Sequence, residues 1–189
     1  MGDTGKLAYK ANGADAGKLA YKAAGSSVGQ LVYKVMAGQT TQITFAWGSD
    51  GYDLDICAYW EGDPDMKVGF GYDTSTAEHI RGVFKIQYSG DVIAADDAEW
   101  VKVSKTVWSD GSRNFRVYLN FFGHYTGQYD LDKCTVIAAQ MGGRTLIRRN
   151  VPCGIVDDSK AVPGRDPGVM ITFDAEGNLD AIDLIPGGS

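Results

Sequence analysis

The 189-residue sequence predicts an all-β protein, an antiparallel β-sandwich preceded by an N-terminal arm of short repeated strands. Three observations support this fold class. Many short stretches of alternating apolar and polar residues are separated by turn signals such as Asp110-Gly111 and Gly142-Gly143. The sequence contains no convincing amphipathic helix longer than about two turns. Its 25 glycines suit many tight turns between short strands.

The arm is predicted from a short motif that occurs three times at a fixed spacing of twelve residues, at Gly5–Lys10, Gly17–Lys22 and Gly29–Lys34. Each unit is predicted to be a short strand followed by a turn. Because strand side chains alternate, the leucines and tyrosines of the motif share one face. These residues are Leu7, Tyr9, Leu19, Tyr21, Leu31 and Tyr33. Three such strands bury too little apolar surface to stand alone, so we expect residues 1–38 to act in assembly or anchoring.

The body, residues 39–189, is predicted to form the sandwich from longer alternating segments. The strongest pattern, Asn114–Phe122, alternates large apolar side chains with polar ones. The predicted strands are Thr41–Trp47, Asp53–Trp60, Val83–Tyr88, Trp100–Val103, Asn114–Phe122, Thr135–Gln140, Arg144–Asn150, Val169–Phe173 and Ala181–Ile185.

Charge is divided unevenly between the arm and the body. Residues 1–40 carry five lysines and two acids, a net charge of +3, whereas residues 41–189 carry thirteen basic and twenty-two acidic groups, a net charge of −9. An acidic body argues against nucleic-acid binding, which needs a basic surface, but permits cation binding. A basic arm beside an acidic body also favours association between copies.

The cysteines and the hydropathy of the sequence argue against several classes of protein. The three cysteines (Cys57, Cys134 and Cys153) are far apart and are predicted to be buried apolar residues, not a zinc site or a disulfide framework. The sequence shows no signal-peptide pattern and no apolar run of membrane-spanning length. We therefore expect no membrane partner, and a location in the cytoplasm or in an extracellular or virion assembly.

A dense acidic cluster is the best candidate for chemistry. Asp50, Asp53 and Asp55 lie within six residues, and the latter two are two apart on a predicted strand, so they point to the same side. Adjacent carboxylates repel each other, and a hard cation relieves that repulsion. Calcium, with six to eight oxygen ligands, suits such a cluster. The turn at Gly51 would let Asp50 fold back toward the same point.

A second acidic segment follows along the chain. Asp91 lies after Gly90, and Asp96, Asp97 and Glu99 follow within a few residues. The length and loop character of this segment suit a second group of oxygen ligands for the same cation. The pattern is not an EF-hand, because the twelve-residue loop with its closing glutamate is absent.

Two other interpretations of the acids remain open. An acidic loop can simply be a solvated surface. Alternatively, two carboxylates could catalyse glycoside hydrolysis, which would need an aromatic-lined cleft built from residues such as Trp47, Trp60 and Trp100. The two histidines, His79 and His124, lack a nucleophile in a recognisable motif and are expected on the surface or in turns.

The acidic segments also carry a resemblance to a known family. The run Trp47-Gly-Ser-Asp-Gly-Tyr-Asp-Leu-Asp-Ile-Cys-Ala-Tyr-Trp60 resembles the signature of the tellurium-resistance TerD family, in which a tryptophan and a short acidic loop precede Asp-Leu-Asp and an apolar strand. Met66–Asp73, Tyr88–Asp91 and Asp96–Val103 are similar, in the same order, to its following segments. The resemblance covers about residues 41–185, and its specific motifs are Asp-Leu-Asp and the order of the later acids.

The resemblance implies a calcium-binding β-sandwich without established catalysis, linked to stress and chemical resistance. It would place cation ligands at Asp53, Asp55, Asp91, Asp96 and Asp97. The sequence departs from the family at the strand ending in Asp73, where the family favours asparagines, and at Val92, where it has asparagine. These departures leave open whether one or both of the family's two metal sites are present, and the repeat arm has no counterpart in the family pattern.

Together these observations predict a non-enzymatic calcium-binding β-sandwich that self-associates through its arm. The alternatives are a structural subunit of a filament or phage virion without a functional metal, a stress or tellurite resistance protein, and, last, an acid-pair glycoside hydrolase.

Overall fold

A computed structural model describes residues 18–21, 29–32, 39–47, 53–92, 98–122, 133–155 and 160–188, the first two ranges by their backbone. Within these ranges every regular element is a β-strand, which confirms the predicted all-β fold class. None of the described residues forms a helix that could cross a membrane. The chain divides into two compact units, Met1–Ala37 and Gly38–Ser189.

Thirteen strands are present among the described residues. They are β1 (Lys18–Tyr21), β2 (Gly29–Val32), β3 (Thr41–Ala46), β4 (Asp53–Trp60), β5 (Glu78–Arg81), β6 (Phe84–Tyr88), β7 (Glu99–Lys105), β8 (Asn114–Phe122), β9 (Lys133–Gln140), β10 (Thr145–Pro152), β11 (Gly154–Ile155), β12 (Gly168–Phe173) and β13 (Leu179–Ile185).

The second unit is a sandwich of two sheets. One has six strands in the order β10-β9-β3-β7-β6-β5. In the other, β8 is the central strand, with β4 on one side and β12, followed by β13, on the other. All these pairings are antiparallel; the two-residue β11 adds a short parallel pairing to β8. In the first unit, β1 and β2 form a separate two-stranded antiparallel sheet.

The predicted strands agree well with the observed ones. β4 and β8 have the predicted bounds, because their apolar alternation is long and bordered by turns. Two observed strands, β5 and β11, are not among the predicted ones. β5 reads Glu-His-Ile-Arg and is mostly exposed at a sheet edge, so it carries no alternating core pattern. Its neighbour β6 supplies the backbone pairing that makes it a strand.

The core between the sheets is centred on the indole of Trp60, which is fully buried. Its ring centroid lies 5.3 to 5.9 Å from those of Phe115, Phe84, Phe173 and Trp108. The indole N–H donates a hydrogen bond to the Lys85 carbonyl at 3.2 Å, so the one polar atom of this side chain is satisfied. These rings come from both sheets and from the connections between them, and they fix how the sheets pack.

Both faces of β4 are covered. Leu54, Ile56 and Ala58 are buried, as expected for a core face, but the alternate positions Asp55 and Cys57 are buried as well. At the Cys57 end, the covering cluster includes Tyr118 of β8 and Ala161 of a later connection. The three cysteines are buried, as predicted, and none of them forms a disulfide. An acidic strand covered on both sides is what gives the candidate site its unusual environment.

We expect Phe115→Ala to lower the free energy of unfolding by about 3–5 kcal/mol, because it removes a fully buried ring from the Trp60 cluster. Ile147→Ala is the matched control: its side chain is 54% exposed, and we expect a change within about 0.5 kcal/mol. Urea unfolding followed by tryptophan fluorescence measures both. Equal losses for the two variants would show that this cluster is not the core.

Candidate metal centre

Three aspartates from different parts of the chain form one cluster in the sandwich. Asp53 and Asp55 are the first and third residues of β4, whereas Asp91 follows β6, a strand of the opposite sheet. Each carboxylate offers one oxygen such that all three oxygens lie within 4.8 Å of one another. The cluster therefore joins the two sheets, and its arrangement can hold a metal ion.

Local structure explains how the cluster forms. Asp53 and Asp55 alternate along β4, whose register is fixed by antiparallel pairing with β8. Asp91 comes after Gly90, which has a φ of +87°, a conformation that glycine adopts readily. Ser89 holds the base of this connection: its N–H donates to the Trp100 carbonyl at 2.9 Å, and its hydroxyl accepts the Trp100 N–H at 3.0 Å.

Asp55 is the most constrained member of the cluster. The residue is only 1% exposed to solvent, and neither oxygen of its carboxylate has a hydrogen-bond partner. One oxygen of Asp53 is buried without a partner as well. A buried ionised carboxylate without hydrogen bonds or a counter-charge is strongly unfavourable. Such a group is therefore either protonated or neutralised by a bound cation.

The electrostatics of the cluster agree with its burial. Burial, followed by the charge of Asp91, raises the pKa of Asp53 to about 6. Burial, followed by the charges of Asp53 and Asp91, raises the pKa of Asp55 to about 7. Burial also raises the pKa of Asp91. No opposite charge contributes to these shifts, so the cluster lacks an internal counter-ion among the described residues.

A fourth carboxylate, Glu99 at the start of β7, extends the acidic region into the core. It is fully buried; one of its oxygens accepts a hydrogen bond from the Tyr88 hydroxyl and the other has no partner. Burial raises its pKa well above the usual range; the hydrogen bond from Tyr88 opposes this shift, and the charge of Asp55 adds to it. Glu99 belongs to the second acidic segment but is not among the metal ligands predicted from the sequence. The available signal was a glutamate at an inward position of an alternating strand.

The structure describes only some of the other residues predicted to bind metal or to act in assembly. Asp50, Asp96 and Asp97 lie outside the described residues, so their predicted role stays a prediction. Leu7, Tyr9 and Tyr33 of the arm also lie outside the described residues. Leu19 and Tyr21 belong to β1, and Leu31 belongs to β2, where the backbone alone is described.

The aromatic cleft required by the hydrolase interpretation is not formed by the predicted tryptophans. Trp60 is enclosed in the core and Trp47 is buried, whereas Trp100 is partly exposed beneath the Lys102 ammonium, 4.5 Å from its ring centroid. An open cleft of about 610 Å³ lies elsewhere in the second unit and contains none of the clustered aspartates. It is lined by Asp65, Met66, Lys67, Tyr72, Asp73, His79 and Arg81.

Comparisons with known proteins supply no information on this site, so its interpretation depends on its geometry. No family model matches the chain, and neither the curated proteins nor the solved structures contain a significant match to it. The resemblance to the TerD family accordingly stays a prediction, carried by the residues quoted above.

Without metal, we expect the stability of the protein to fall as the pH rises from about 4 to about 7 and to level off above that. The folded-state pKa values of Asp53 and Asp55 lie above their ordinary value of 3.8, so the fold favours their protonated forms. That contribution is complete below the ordinary value and is lost as the pH rises through about 6 and 7. Urea unfolding in chelator across this range measures the slope.

The matched variant for this measurement is Asp53→Asn combined with Asp55→Asn, which removes both titrating groups while preserving side-chain shape. We expect it to have a flatter stability profile than the unmodified chain over the same range. Parallel profiles would show that the two carboxylates are not protonated in the folded state.

Proposed function

We propose that this protein is a non-enzymatic calcium-binding β-sandwich that self-associates through its N-terminal arm. The observation that supports calcium binding most directly is the state of Asp55. Its carboxylate is buried with both oxygens unpartnered, and the carboxylates of Asp53 and Asp91 converge on it. A cation at this position would supply the missing charge for all three groups.

The chemistry of the donors favours calcium over other metals. The clustered groups are carboxylates, the hard oxygen ligands that calcium and magnesium prefer, and the cluster contains no described cysteine or histidine of the kind that zinc favours. Calcium accepts six to eight oxygens in flexible geometry, whereas magnesium demands a near-ideal octahedron and retains several waters. Three closely spaced carboxylates from two sheets suit the larger, more tolerant ion, as does the resemblance to the TerD family.

We expect calcium to stabilise the protein by about 2.7 kcal/mol when its free concentration is about one hundred times the dissociation constant, because the folded state alone assembles the site. Thermal unfolding with calcium, with magnesium and with chelator measures this effect, and isothermal titration gives the affinity. Asp55→Asn should weaken binding at least tenfold, since it removes one full negative charge and one carboxylate ligand of the cluster.

Asp183→Asn is the matched control for this titration. Asp183 lies on β13, is exposed and lies outside the acidic cluster, so its loss changes the net charge equally without touching the site. Equal calcium affinity in Asp55→Asn and Asp183→Asn would refute the proposed site. Stronger stabilisation by magnesium than by calcium would assign the site to the smaller ion.

Self-association is supported by properties of the arm and of the body. The β1–β2 sheet has two strands of four residues each, and isolated two-stranded sheets are marginal in water. The arm is basic and the body acidic, so the charges of separate copies attract. The alternative of a structural subunit without metal shares this arm and differs in having no dependence on calcium.

We expect the full chain to form assemblies and a chain of residues 39–189 to be monomeric, because the second unit forms a compact sandwich without the arm. Light scattering of both proteins, in calcium and in chelator, measures their mass. Assemblies that persist in chelator would favour the purely structural alternative, whereas assemblies of the shortened chain would refute a role for the arm.

A further inference from the structure

We propose that the outer edge of β2 is the surface through which two copies of this chain join, by antiparallel pairing of β2 with β2 and with Leu31 of each copy opposite Leu31 of the other. This inference rests on the proposed self-association and specifies its partner, strand and register.

The first observation is the register of the arm sheet. Leu19 lies opposite Leu31, and Lys18 lies opposite Val32. Leu19 and Leu31 occupy the same position in successive repeats, twelve residues apart. The pairing therefore relates two copies of one motif by a local two-fold axis through the opposed leucines. A strand of this repeat is complementary to another strand of the same repeat in antiparallel orientation.

The second observation is that, in the described part of the arm, each strand of this sheet pairs along one edge. Among the described residues, β1 and β2 pair with each other alone, so each has a second edge at which backbone groups can accept a further strand. Addition of an extended segment at such an edge is a common way for chains to join, because backbone hydrogen bonds supply much of the affinity.

The third observation distinguishes the two edges. In the first two repeats the motif has a lysine before the leucine and an alanine after it, but the third repeat has Gln30 and Val32. Lysine on an edge strand opposes pairing with another chain, and β-branched residues favour strands. The third repeat has lost the opposing charge and gained a β-branched residue. β2 is thus the strand best suited to pair with a partner.

The two-fold pairing also explains how a marginal sheet gains stability. Gln30 of one copy would face Val32 of the other, so no like charges are opposed within the strand. The strands described for the two copies would then form a four-stranded sheet in the order β1-β2-β2-β1, with four leucines at opposed register positions. Three or more strands with an apolar face can be stable where two cannot. The contact is the same on both copies, as in a closed two-fold dimer.

The test is disulfide trapping in the full chain. Opposed residues in an antiparallel pair have Cα atoms about 4.5–5.5 Å apart, within the range that a disulfide spans. Leu31→Cys, incubated in a glutathione redox buffer, should give a covalent dimer on non-reducing electrophoresis. Leu19→Cys, at the equivalent position of β1, is the matched control and should stay largely monomeric. The native cysteines are buried, so they contribute little to cross-linking.

A second variant tests the role of the missing charge. Gln30→Lys, added to Leu31→Cys, restores the lysine of the other repeats. The two new ammonium groups would lie diagonally across the dimer axis, about 7–8 Å apart between their Cα atoms, so we expect several-fold less covalent dimer. Gln30→Thr in the same background is the neutral control and should preserve the cross-link.

The outcomes separate this inference from the proposed function. Equal cross-linking of Leu31→Cys and Leu19→Cys, or no cross-linking of Leu31→Cys in a chain that assembles by light scattering, would overturn the β2 pairing alone. An unmodified chain that is monomeric by light scattering would overturn self-association itself. Calcium titration of Leu31→Cys reports on the separate aspartate cluster, whose affinity should equal that of the unmodified chain.

Discussion

The burial of Asp55 without a partner is the constraint on which the chemistry of this protein depends. A carboxylate in this state costs the fold free energy on the order of a few kcal/mol at neutral pH, because its charge has left water and met other acids. A sandwich of ordinary stability has little reserve for such a cost. The proposed cation, which this cluster could hold, therefore accounts for the presence of this carboxylate at the junction of two sheets better than packing does.

The same constraint makes the site a link between the sheets. Asp53 and Asp55 belong to the sheet centred on β8, whereas Asp91 lies in the connection from β6 to β7 of the other sheet and Glu99 is the first residue of β7. Without a cation, the repulsion among these groups acts to separate the sheets at this end, and the Trp60 cluster must hold them together elsewhere. With a cation, the same charges become an attraction across the sandwich. The proposed metal binding would consequently be thermodynamically linked to the stability of the sheet packing.

Sequence predicted the parts of this structure that depend on local pattern. Alternation gave the bounds of β4 and β8, and spacing placed Asp53 and Asp55 on one side. It could not place Asp91 beside them, because that proximity arises from the packing of two sheets. It also could not show that Lys105 is fully buried, where its ammonium donates hydrogen bonds to the Asp110 carboxylate and the Ser112 carbonyl. Whether a charged side chain is buried depends on contacts between residues far apart in the sequence. The pattern of apolar and polar residues along the chain does not reveal those contacts.

In the arm, by contrast, a short sequence pattern is enough to predict a contact between two molecules. A repeat whose strands pair with equivalent positions opposed is, by symmetry, also complementary to the same repeat in another molecule. Nothing in that symmetry limits the number of strands, so a chain with three identical repeats would favour open-ended growth. Replacement of lysine by glutamine and of alanine by valine in the third repeat alone makes one edge different from the other. In the proposed pairing, a single favoured edge is satisfied by the same edge of a second copy, so this asymmetry would select a finite dimer of arms over a continuous sheet.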